Sequence, residues 1–282
     1  MNITRIKQQP VTLLLALLLT TGATKAQLKN KNPIVIERIA TTSDSTVLLN
    51  KISRLSGKIF SGYTISDSLD YLNDSLLYAL QTCVSVFPDF MYDNFPDWEK
   101  NGLKIATSTD HKFRIICWND KESGTNREWK AIMYWQTIKD LYAVEPGDTD
   151  YINLSPEYTG ITDIRLDNEN TVYLVQARGH EDNRYKFDFI KGYKINSNDL
   201  IDDDVTLFKN ATKSLNKIEL KIDLASIDKS TSTSYPLIHF SQDHKMLFIP
   251  LTDNNGKIKE GYYLIYRFNG KAFVFDKTIF NH

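Results

Sequence analysis

Two histidines and an aspartate lie close together late in the sequence and could bind a transition-metal ion. His239 and His244 flank a predicted turn, and Asp243 directly precedes the second histidine. Imidazoles and carboxylates are ordinary ligands for such ions, but a catalytic zinc site usually has three protein ligands in a recognisable spacing. The sequence indicates no third ligand, so we interpret these residues as an ordinary turn between strands.

Residues 196–204 are rich in oxygen-bearing side chains that calcium could use as ligands. They comprise Asn196, Asn198, Asp199, Asp202, Asp203 and Asp204. Calcium binds about six to eight oxygen atoms, but the segment lacks the turn glycine and the terminal glutamate of an EF-hand loop. We therefore predict a solvated loop here, and neither a metal ion nor another cofactor for the protein.

No catalytic group can be assigned from the sequence. It offers no nucleophile elbow of the Gly-x-Ser-x-Gly type and no glycine-rich phosphate loop. Cys117 lies in the middle of a predicted strand, which indicates a core residue. A glycosidase needs two carboxylates about 5 to 10 Å apart, and the sequence of a β protein does not reveal which of them meet. Candidates include Glu157, Asp163, Asp167, Glu181 and Asp182, and whether the protein is an enzyme stays open.

All four tryptophans lie within one central segment that contains other aromatic residues: Trp98, Trp118, Trp129 and Trp135. Alternate side chains of a strand point to opposite faces, so Trp129 shares one face with Trp135, whereas Lys130, Tyr134 and Gln136 share the other. An aromatic ring between polar groups suits a sugar ring or an apolar group of a partner. We predict a ligand-binding surface made of Trp129, Lys130, Tyr134 and Gln136; the alternative is that the aromatic residues form a core.

Cys83 and Cys117 are the two cysteines of the chain. An exported protein meets oxidising conditions, so a disulfide between them is possible if their Cα atoms lie within about 7 Å. Both cysteines have apolar neighbours, which makes two buried free thiols the alternative. The sequence leaves both alternatives open.

Residues 27–95 are predicted to form a helical segment that packs on the rest of the protein. A first helix has Ser43 or Asp44 as its N-cap and an apolar stripe of Leu48, Ile52, Leu55 and Ile59. A second helix begins near Ser66, ends before Pro88 and has a stripe of Leu69, Leu72, Leu76, Leu80 and Cys83. Each helix is apolar on one side only, so each needs a surface to cover.

Residues 96–282 are predicted to form an antiparallel β domain. Alternating or short apolar runs between turn residues predict strands at 103–108, 112–118, 129–137, 141–144, 158–165, 171–177, 186–195, 205–208, 217–224, 237–240, 245–251, 261–268 and 271–275. Almost none is separated from the next by a helix, which favours antiparallel hairpins, and Asn269-Gly270 is the strongest hairpin signal. The predicted fold is therefore mainly β (α+β), a short N-terminal helical pair followed by hairpins in a propeller-like arrangement or a twisted sandwich.

A short pattern, Ser-x-Asp-His-Lys-apolar, occurs twice, at residues 108–113 and 241–246, each time before a predicted strand. Residues 167–170 are a loose analogue before Thr171. Serine and aspartate side chains can hydrogen-bond the backbone of a tight turn. Two copies do not establish a repeat protein, but they fit a propeller-like or stacked-hairpin arrangement.

The first 26 residues have the order of a secretory signal peptide. Arg5 and Lys7 precede an apolar run over residues 11–19, and small residues follow as far as Ala26. The run is shorter than the roughly 20 residues of a membrane-spanning helix. We predict cleavage after Ala26 and export to the periplasm, the cell surface or the medium, with no membrane span. The 34 basic and 35 acidic residues nearly balance, which predicts no nucleic-acid partner.

The run from Gly102 to Ser108 continues with Asp110, residues 112–115 and Trp118, and is followed by Gly124-Thr125. It resembles a family of exported bacterial proteins of unknown function with the motif GLxIATSxDxKFRIxxW. That family looks like a short helical part, this motif and a run of hairpins that ends in a segment similar to residues 266–271. The resemblance implies export and a β fold for most of the mature chain, and no activity, ligand or catalytic residue.

Two functions of different class follow from these observations. The first is a non-catalytic binding module for a glycan, a peptide or an envelope protein, and it requires an exposed aromatic patch around Trp129 and Tyr134 or another cleft nearby. The alternative is a secreted hydrolase that acts on carbohydrate, which requires two facing carboxylates or a third ligand beside His239 and His244. The sequence does not indicate the oligomeric state.

Overall fold

The computed structural model describes residues 34–36, 42–61, 66–87, 89–121, 128–146, 156–167, 170–180, 182–226 and 237–280. The predicted signal peptide, residues 1–26, lies outside the described residues, as do Gly124-Thr125 of the family motif and the carboxylate candidate Glu181. Cleavage after Ala26 therefore stays a prediction.

Two long helices form most of the N-terminal part of the described chain, as their apolar periodicity predicted. They are α1 (Thr42–Ser61) and α2 (Ser66–Val86). Helix α1 begins at Thr42, so Ser43 and Asp44 lie in its first turn and not at the predicted N-cap. Both apolar stripes are buried or half-buried in the core, which accounts for the apolar side of each amphipathic helix. No helix of the described residues is long and apolar enough to cross a membrane.

A third helix, α3 (Pro96–Lys100), was not predicted, because a single turn is too short to show a helical period. Its first residue is a proline, which fixes a helical φ and has no N–H to leave unpaired. Trp98 is buried from this helix and stacks on Phe95 with the ring centroids 4.1 Å apart. The helix thereby anchors the chain where it enters the first long hairpin.

The described residues contain sixteen strands: β1 (Ile34–Ile36), β2 (Lys104–Thr107), β3 (Phe113–Asn119), β4 (Trp129–Gln136), β5 (Leu141–Val144), β6 (Glu157–Arg165), β7 (Thr171–His180), β8 (Tyr185–Ile195), β9 (Ile201–Asp202), β10 (Phe208–Lys209), β11 (Ser214–Leu215), β12 (Lys217–Asp223), β13 (His239–Phe240), β14 (Met246–Thr252), β15 (Ile258–Phe268) and β16 (Phe273–Phe280). The predicted mainly β fold with antiparallel hairpins is confirmed. Of the strand predicted at 205–208, only Phe208 lies in a strand, as the first residue of β10.

These strands form three sheets. Sheet 1 has the order β1-β5-β4-β3-β2, and sheet 2 has the order β12-β8-β7-β6 with β9 paired to β8. Sheet 3 has the order β11-β10-β16-β15-β14-β13. All pairs are antiparallel except β10 with β16, which run parallel, contrary to the purely antiparallel expectation. The Asn269-Gly270 turn joins β15 to β16, as predicted.

Three hydrophobic cores separate four layers. Core 1 lies between the helices and one face of sheet 1, and it contains Ile52, Leu76, Cys83, Trp118 and Tyr134. Core 2 joins the other face of sheet 1 to sheet 2, through residues such as Phe113, Cys117, Trp135, Tyr173 and Phe189. Core 3 joins the second face of sheet 2 to sheet 3, through Leu174, Ile190, Phe208, Leu247 and Phe273. Sheets 1 and 2 are each covered on both faces, so their strands are apolar on both sides.

Each sheet contains a four-stranded meander: β2 to β5 in sheet 1, β6, β7, β8 and β12 in sheet 2, and β13 to β16 in sheet 3. The two Ser-x-Asp-His-Lys turns occupy the same place, between the first and second strands of the meanders in sheets 1 and 3. The loose analogue that begins at Asp167 lies at the corresponding place in sheet 2. The three meanders are stacked face to face, with core 2 and core 3 between them.

The cysteines are separated by sheet 1. Cys83 belongs to core 1 and Cys117 to core 2, and both are free thiols. Of the two alternatives, the disulfide is therefore wrong. Burial raises the pKa of each thiol to about 12, so neither is a reactive nucleophile.

Candidate functional site

The predicted binding surface on β4 is not exposed. Tyr134 is fully buried in core 1, where its hydroxyl donates a hydrogen bond to the Leu80 carbonyl at 3.2 Å and its ring meets Phe90. Trp129 is half-buried against core 2. The prediction of two distinct faces of β4 is confirmed, but the predicted aromatic platform is wrong, because helices cover one face and sheet 2 covers the other.

The two polar members of the predicted set lie at opposite ends of the strand. Lys130 lies near α2, with its Nζ 4.0 Å from a carboxylate oxygen of Asp74. Gln136 ends β4 and lines a cleft at the far end of sheets 1 and 2. Of the four predicted residues, Gln136 alone therefore lies in that cleft.

The cleft has a volume of about 440 Å³ and opens to solvent. Sheet 1 contributes the turn after β2 and the turn after β4, and sheet 2 contributes the start of β7 and the turn after β8. One further residue comes from the loop that precedes α3. The lining consists of Tyr92, Asp110, Lys112, Gln136, Thr137, Ile138, Asn170, Thr171, Tyr173, Ile195 and Asp199.

The turn after β2 is built by the first copy of the repeated pattern. Ser108 Oγ donates to Asp110 Oδ1 at 2.6 Å, and the same carboxylate oxygen accepts the Lys112 N–H at 3.0 Å. The Phe113 N–H donates to Ser108 Oγ at 3.0 Å. His111 adopts a left-handed φ of 55°, which the turn requires.

The second copy repeats these hydrogen bonds in sheet 3. Ser241 Oγ donates to Asp243 Oδ1 at 2.6 Å, and that oxygen accepts the Lys245 N–H at 3.1 Å. His244 has the same φ of 55° as its counterpart. The pattern is therefore a turn-forming device, which agrees with the interpretation of these residues as a turn.

Several contacts between sheets 1 and 2 fix the shape of the cleft. Tyr173 of β7 donates its hydroxyl proton to Asp110 Oδ2 at 3.0 Å. Trp135 Nε1 donates to the Asp199 carbonyl at 2.9 Å, and the Asp199 carboxylate lies 3.7 Å from Lys139 Nζ. Thr109 donates its N–H and its hydroxyl to Asp163 of β6, at 2.7 Å and 2.6 Å. The cleft is thus preformed and does not depend on a ligand for its walls.

An exposed aromatic side chain belongs to the lining. Tyr92 is 58 % exposed and stacks one ring face on the His111 imidazole, with the centroids 4.7 Å apart. His111 Nδ1 lies 3.0 Å from the Met91 carbonyl, and a carbonyl only accepts, so Nδ1 carries the proton. Ile138, at the tip of the turn after β4, is fully exposed.

Charges in and beside the cleft nearly cancel. Asp110 is matched by the exposed ammonium group of Lys112 in the same turn, and Asp199 is paired with Lys139. Burial and the hydrogen bond to Asp110 both raise the pKa of Tyr173, so its hydroxyl stays protonated and donates. The arrangement offers neutral donors and acceptors and no strong net field.

No group of three or more His, Cys, Asp or Glu side chains in the described ranges is placed to hold a metal ion. His239 instead stacks on Phe248 at 5.0 Å, with its Nδ1 2.9 Å from the Leu237 carbonyl. In the acidic segment 196–204, Asn196 Oδ1 accepts the Asn198 and Leu200 N–H groups. The Asn196 amide oxygen therefore stabilises the loop itself.

Sequence reasoning missed most of the cleft, because its lining comes from four separate turns and a loop. The usable signal was the repeated pattern, which supplies Asp110 and Lys112. Of the glycosidase candidates that the structure describes, none lines the cleft: Asp163 is bonded to Thr109, and Glu157 pairs with Arg178 at 3.1 Å. The carboxylates in the lining are those of Asp110 and Asp199.

No family model, curated protein or solved structure matches the chain. The resemblance of residues 102–118 to exported bacterial proteins therefore stays a prediction. What can be said about function depends on the chemistry of the cleft.

Proposed function

We propose that the protein is an exported, non-catalytic module that binds a glycan in the cleft between sheets 1 and 2. The observation that carries this proposal is the lining itself, in which an exposed tyrosine ring accompanies amide and hydroxyl side chains. Sugars present both C–H faces that stack on aromatic rings and hydroxyl groups that need directed hydrogen bonds. The predicted signal peptide agrees with contact with extracellular or envelope glycans.

The polar lining has the groups that recognise sugar hydroxyls. Gln136 and Asn170 each carry an amide that both donates and accepts, and Thr137 and Thr171 carry hydroxyls. These groups come from both sheets, so a ligand in the cleft contacts both walls. Because the acidic and basic groups cancel, the lining favours an uncharged saccharide over a polyanion.

The hydrolase alternative is less well supported by the same residues. A glycosidase needs one carboxyl group as acid and another as nucleophile or base. Asp110 already accepts hydrogen bonds from Ser108, Lys112 and Tyr173, and Asp199 pairs with Lys139. Carboxylates with these structural bonds are poorly placed to exchange protons with a substrate, which favours binding over turnover.

The proposal is tested with the protein without residues 1–26 on a glycan array, followed by calorimetry with the best neutral oligosaccharide. Replacement of the exposed ring, Tyr92→Ala, is expected to weaken binding about tenfold, the effect of losing one good stacking contact. Tyr71→Ala is the matched control, because Tyr71 is 72 % exposed on α2, away from the cleft.

Three outcomes are informative. Unchanged affinity of Tyr71→Ala with a loss in Tyr92→Ala supports the proposal. The proposal is refuted if no glycan binds, or if Tyr92→Ala and Tyr71→Ala bind the oligosaccharide with equal affinity. Release of reducing sugar from a bound oligosaccharide establishes the hydrolase instead.

A further inference from the structure

We infer that Arg114 is a positioning residue for the proposed glycan site, because its buried guanidinium holds the loop that places Tyr92 at the cleft. Arg114 lies on β3, on the face of sheet 1 that the helices cover, and only 1 % of it is exposed. It does not line the cleft. The inference rests on the proposed function for its consequence, but its structural part can be tested without a ligand.

The guanidinium bonds almost exclusively to one short stretch of backbone. It donates to the main-chain carbonyls of Phe90, Met91 and Asp93, the last two at 3.2 Å and 2.7 Å. Its Nε donates to Thr107 Oγ1 at 2.8 Å. The planar guanidinium thus donates hydrogen bonds to the carbonyls of the residues before and after Tyr92. A lysine ammonium group cannot reproduce this geometry.

The loop has further contacts that depend on this grip. The Met91 carbonyl accepts from Arg114 and also lies 3.0 Å from His111 Nδ1, so one oxygen links the loop to sheet 1 and to the cleft turn. The His111 ring then stacks on Tyr92. Three contacts in series therefore connect the buried guanidinium to the exposed ring.

Burial of a guanidinium whose hydrogen-bond partners are uncharged oxygens has an unfavourable desolvation free energy. Removal of a full charge from water is strongly unfavourable, and carbonyl dipoles offset only part of that free energy. Burial lowers the pKa of Arg114 to about 10, which reflects that cost. Apolar packing would hold the same loop to the sheet, but only directed bonds fix its conformation closely enough to orient one ring.

The test uses 3-fluorotyrosine and fluorine NMR together with the calorimetric assay. The protein has 15 tyrosines, and the Tyr92 resonance is the one lost in Tyr92→Phe. Arg114→Lys keeps the charge but loses the fork, so the Tyr92 resonance is expected to move toward its unfolded position. Glycan affinity is expected to fall about tenfold, and the Arg114→Lys, Tyr92→Ala double variant should bind no more weakly than Tyr92→Ala alone.

Arg178→Lys is the control, because that guanidinium is bonded to Glu157 of the neighbouring strand and Arg178 is not among the residues that line the cleft. It should leave the Tyr92 resonance unchanged. A folded Arg114→Lys protein with the Tyr92 resonance in its wild-type position overturns the inference. So does additive loss of affinity in the double variant.

If Arg114→Lys does not fold, Thr107→Val replaces it, since this change removes only the acceptor of the Nε–H. A smaller displacement of the Tyr92 resonance in the same direction supports the inference, and no displacement overturns it. If the wild-type protein binds no glycan, the proposed function fails, while the fluorine resonance still decides whether Arg114 sets the position of Tyr92.

Discussion

Asp188 connects sheet 2 to the chain that enters sheet 3. It is buried on β8, and its Oδ2 accepts the Ile238 N–H at 2.8 Å. On the adjacent strand, the Gln176 amide donates to the Ile238 carbonyl at 3.3 Å. Burial raises the pKa of Asp188 from 3.8 to about 6, more than the Ile238 N–H and Arg178 lower it.

The raised pKa makes the stability of the fold depend on pH. Between pH 3.8 and about 6 the folded protein holds this proton more tightly than the unfolded chain does. The stabilisation from the protonated carboxyl is therefore complete below pH 3.8 and is lost as the pH rises through 6. Above that range the folded state contains a buried, desolvated carboxylate.

Asp188→Asn should remove this pH dependence. The amide oxygen can still accept the Ile238 N–H, and no charge is buried. At pH 8 the variant is expected to be more stable than wild type by about 1 to 3 kcal/mol, and near pH 3.5 by about zero. Urea unfolding at the two pH values measures the difference.

Asp182→Asn is the control of opposite sign for this experiment. The N–H groups of Tyr185 and Arg184 lower the pKa of Asp182, so its contribution is present at neutral pH and lost on acidification. An Asp188→Asn protein with the same pH profile as wild type would show that the carboxyl is not desolvated as described.

At the same scale, sequence reasoning was right about which residues share a face and wrong about their exposure. The alternation of β4 correctly separates Tyr134 from Trp135. Alternation is a property of the strand, whereas exposure depends on what lies above each face. The helix that covers Tyr134 is about 50 residues away in sequence, so no local pattern near β4 reports it.

The two Ser-x-Asp-His-Lys turns have the same hydrogen bonds in different surroundings. Ser108 and Ser241 make the same pair of side-chain bonds, to an aspartate and to a backbone N–H five residues on. They differ in surroundings, because Ser108 is fully buried whereas Ser241 is half-buried. Removal of the serine hydroxyl therefore eliminates the same hydrogen bonds at a buried turn and at a half-buried turn.

We expect Ser108→Ala to destabilise the protein by about 1 to 3 kcal/mol and Ser241→Ala by about 1 kcal/mol or less, because water can replace the lost hydroxyl only at the exposed turn. Chemical unfolding of the two single variants measures both values. Ser214→Ala, at an exposed serine of β11, serves as the reference and should be close to neutral. Equal costs at the two turns would contradict the role of burial.

The elements themselves were largely predictable, and the exceptions have a physical reason. Long amphipathic helices and alternating strands have a periodicity, and Asn269-Gly270 has the backbone freedom that a hairpin requires, with Gly270 at φ 90°. The two-residue strands β9 and β11 were not predicted, because two residues show no periodicity, and β10 and β13 are shorter than the strands predicted at 205–208 and 237–240. They form because a partner strand is present, which a local pattern cannot indicate.

The two thiols lie in different cores, so their exposure to solvent indicates which layers of the molecule have opened. Cys83 lies beneath the helices and Cys117 between sheets 1 and 2. The helical layer covers a single sheet face from outside, whereas the second core is enclosed by two sheets. Layers with fewer neighbours open at lower free energy.

We expect neither thiol to react with a thiol-specific reagent at pH 8 under native conditions, because both are buried with pKa values of about 12. As urea is raised, Cys83 should become labelled before Cys117. Mass spectrometry of peptides from partly labelled protein locates the modification, and fully unfolded protein gives the reference. Simultaneous labelling would indicate that all four layers unfold as one unit.

The parallel contact of β10 with β16 has a consequence for the order of assembly. Phe208 pairs with Phe273 on one side and with Leu215 of β11 on the other, so one edge of β10 stays unpaired until the last described strand is available. A chain that is synthesised from its amino end leaves an apolar segment with an unpaired edge in the interval. Chaperone contact, proteolytic attack and intermolecular pairing are therefore expected to concentrate on that segment during biogenesis.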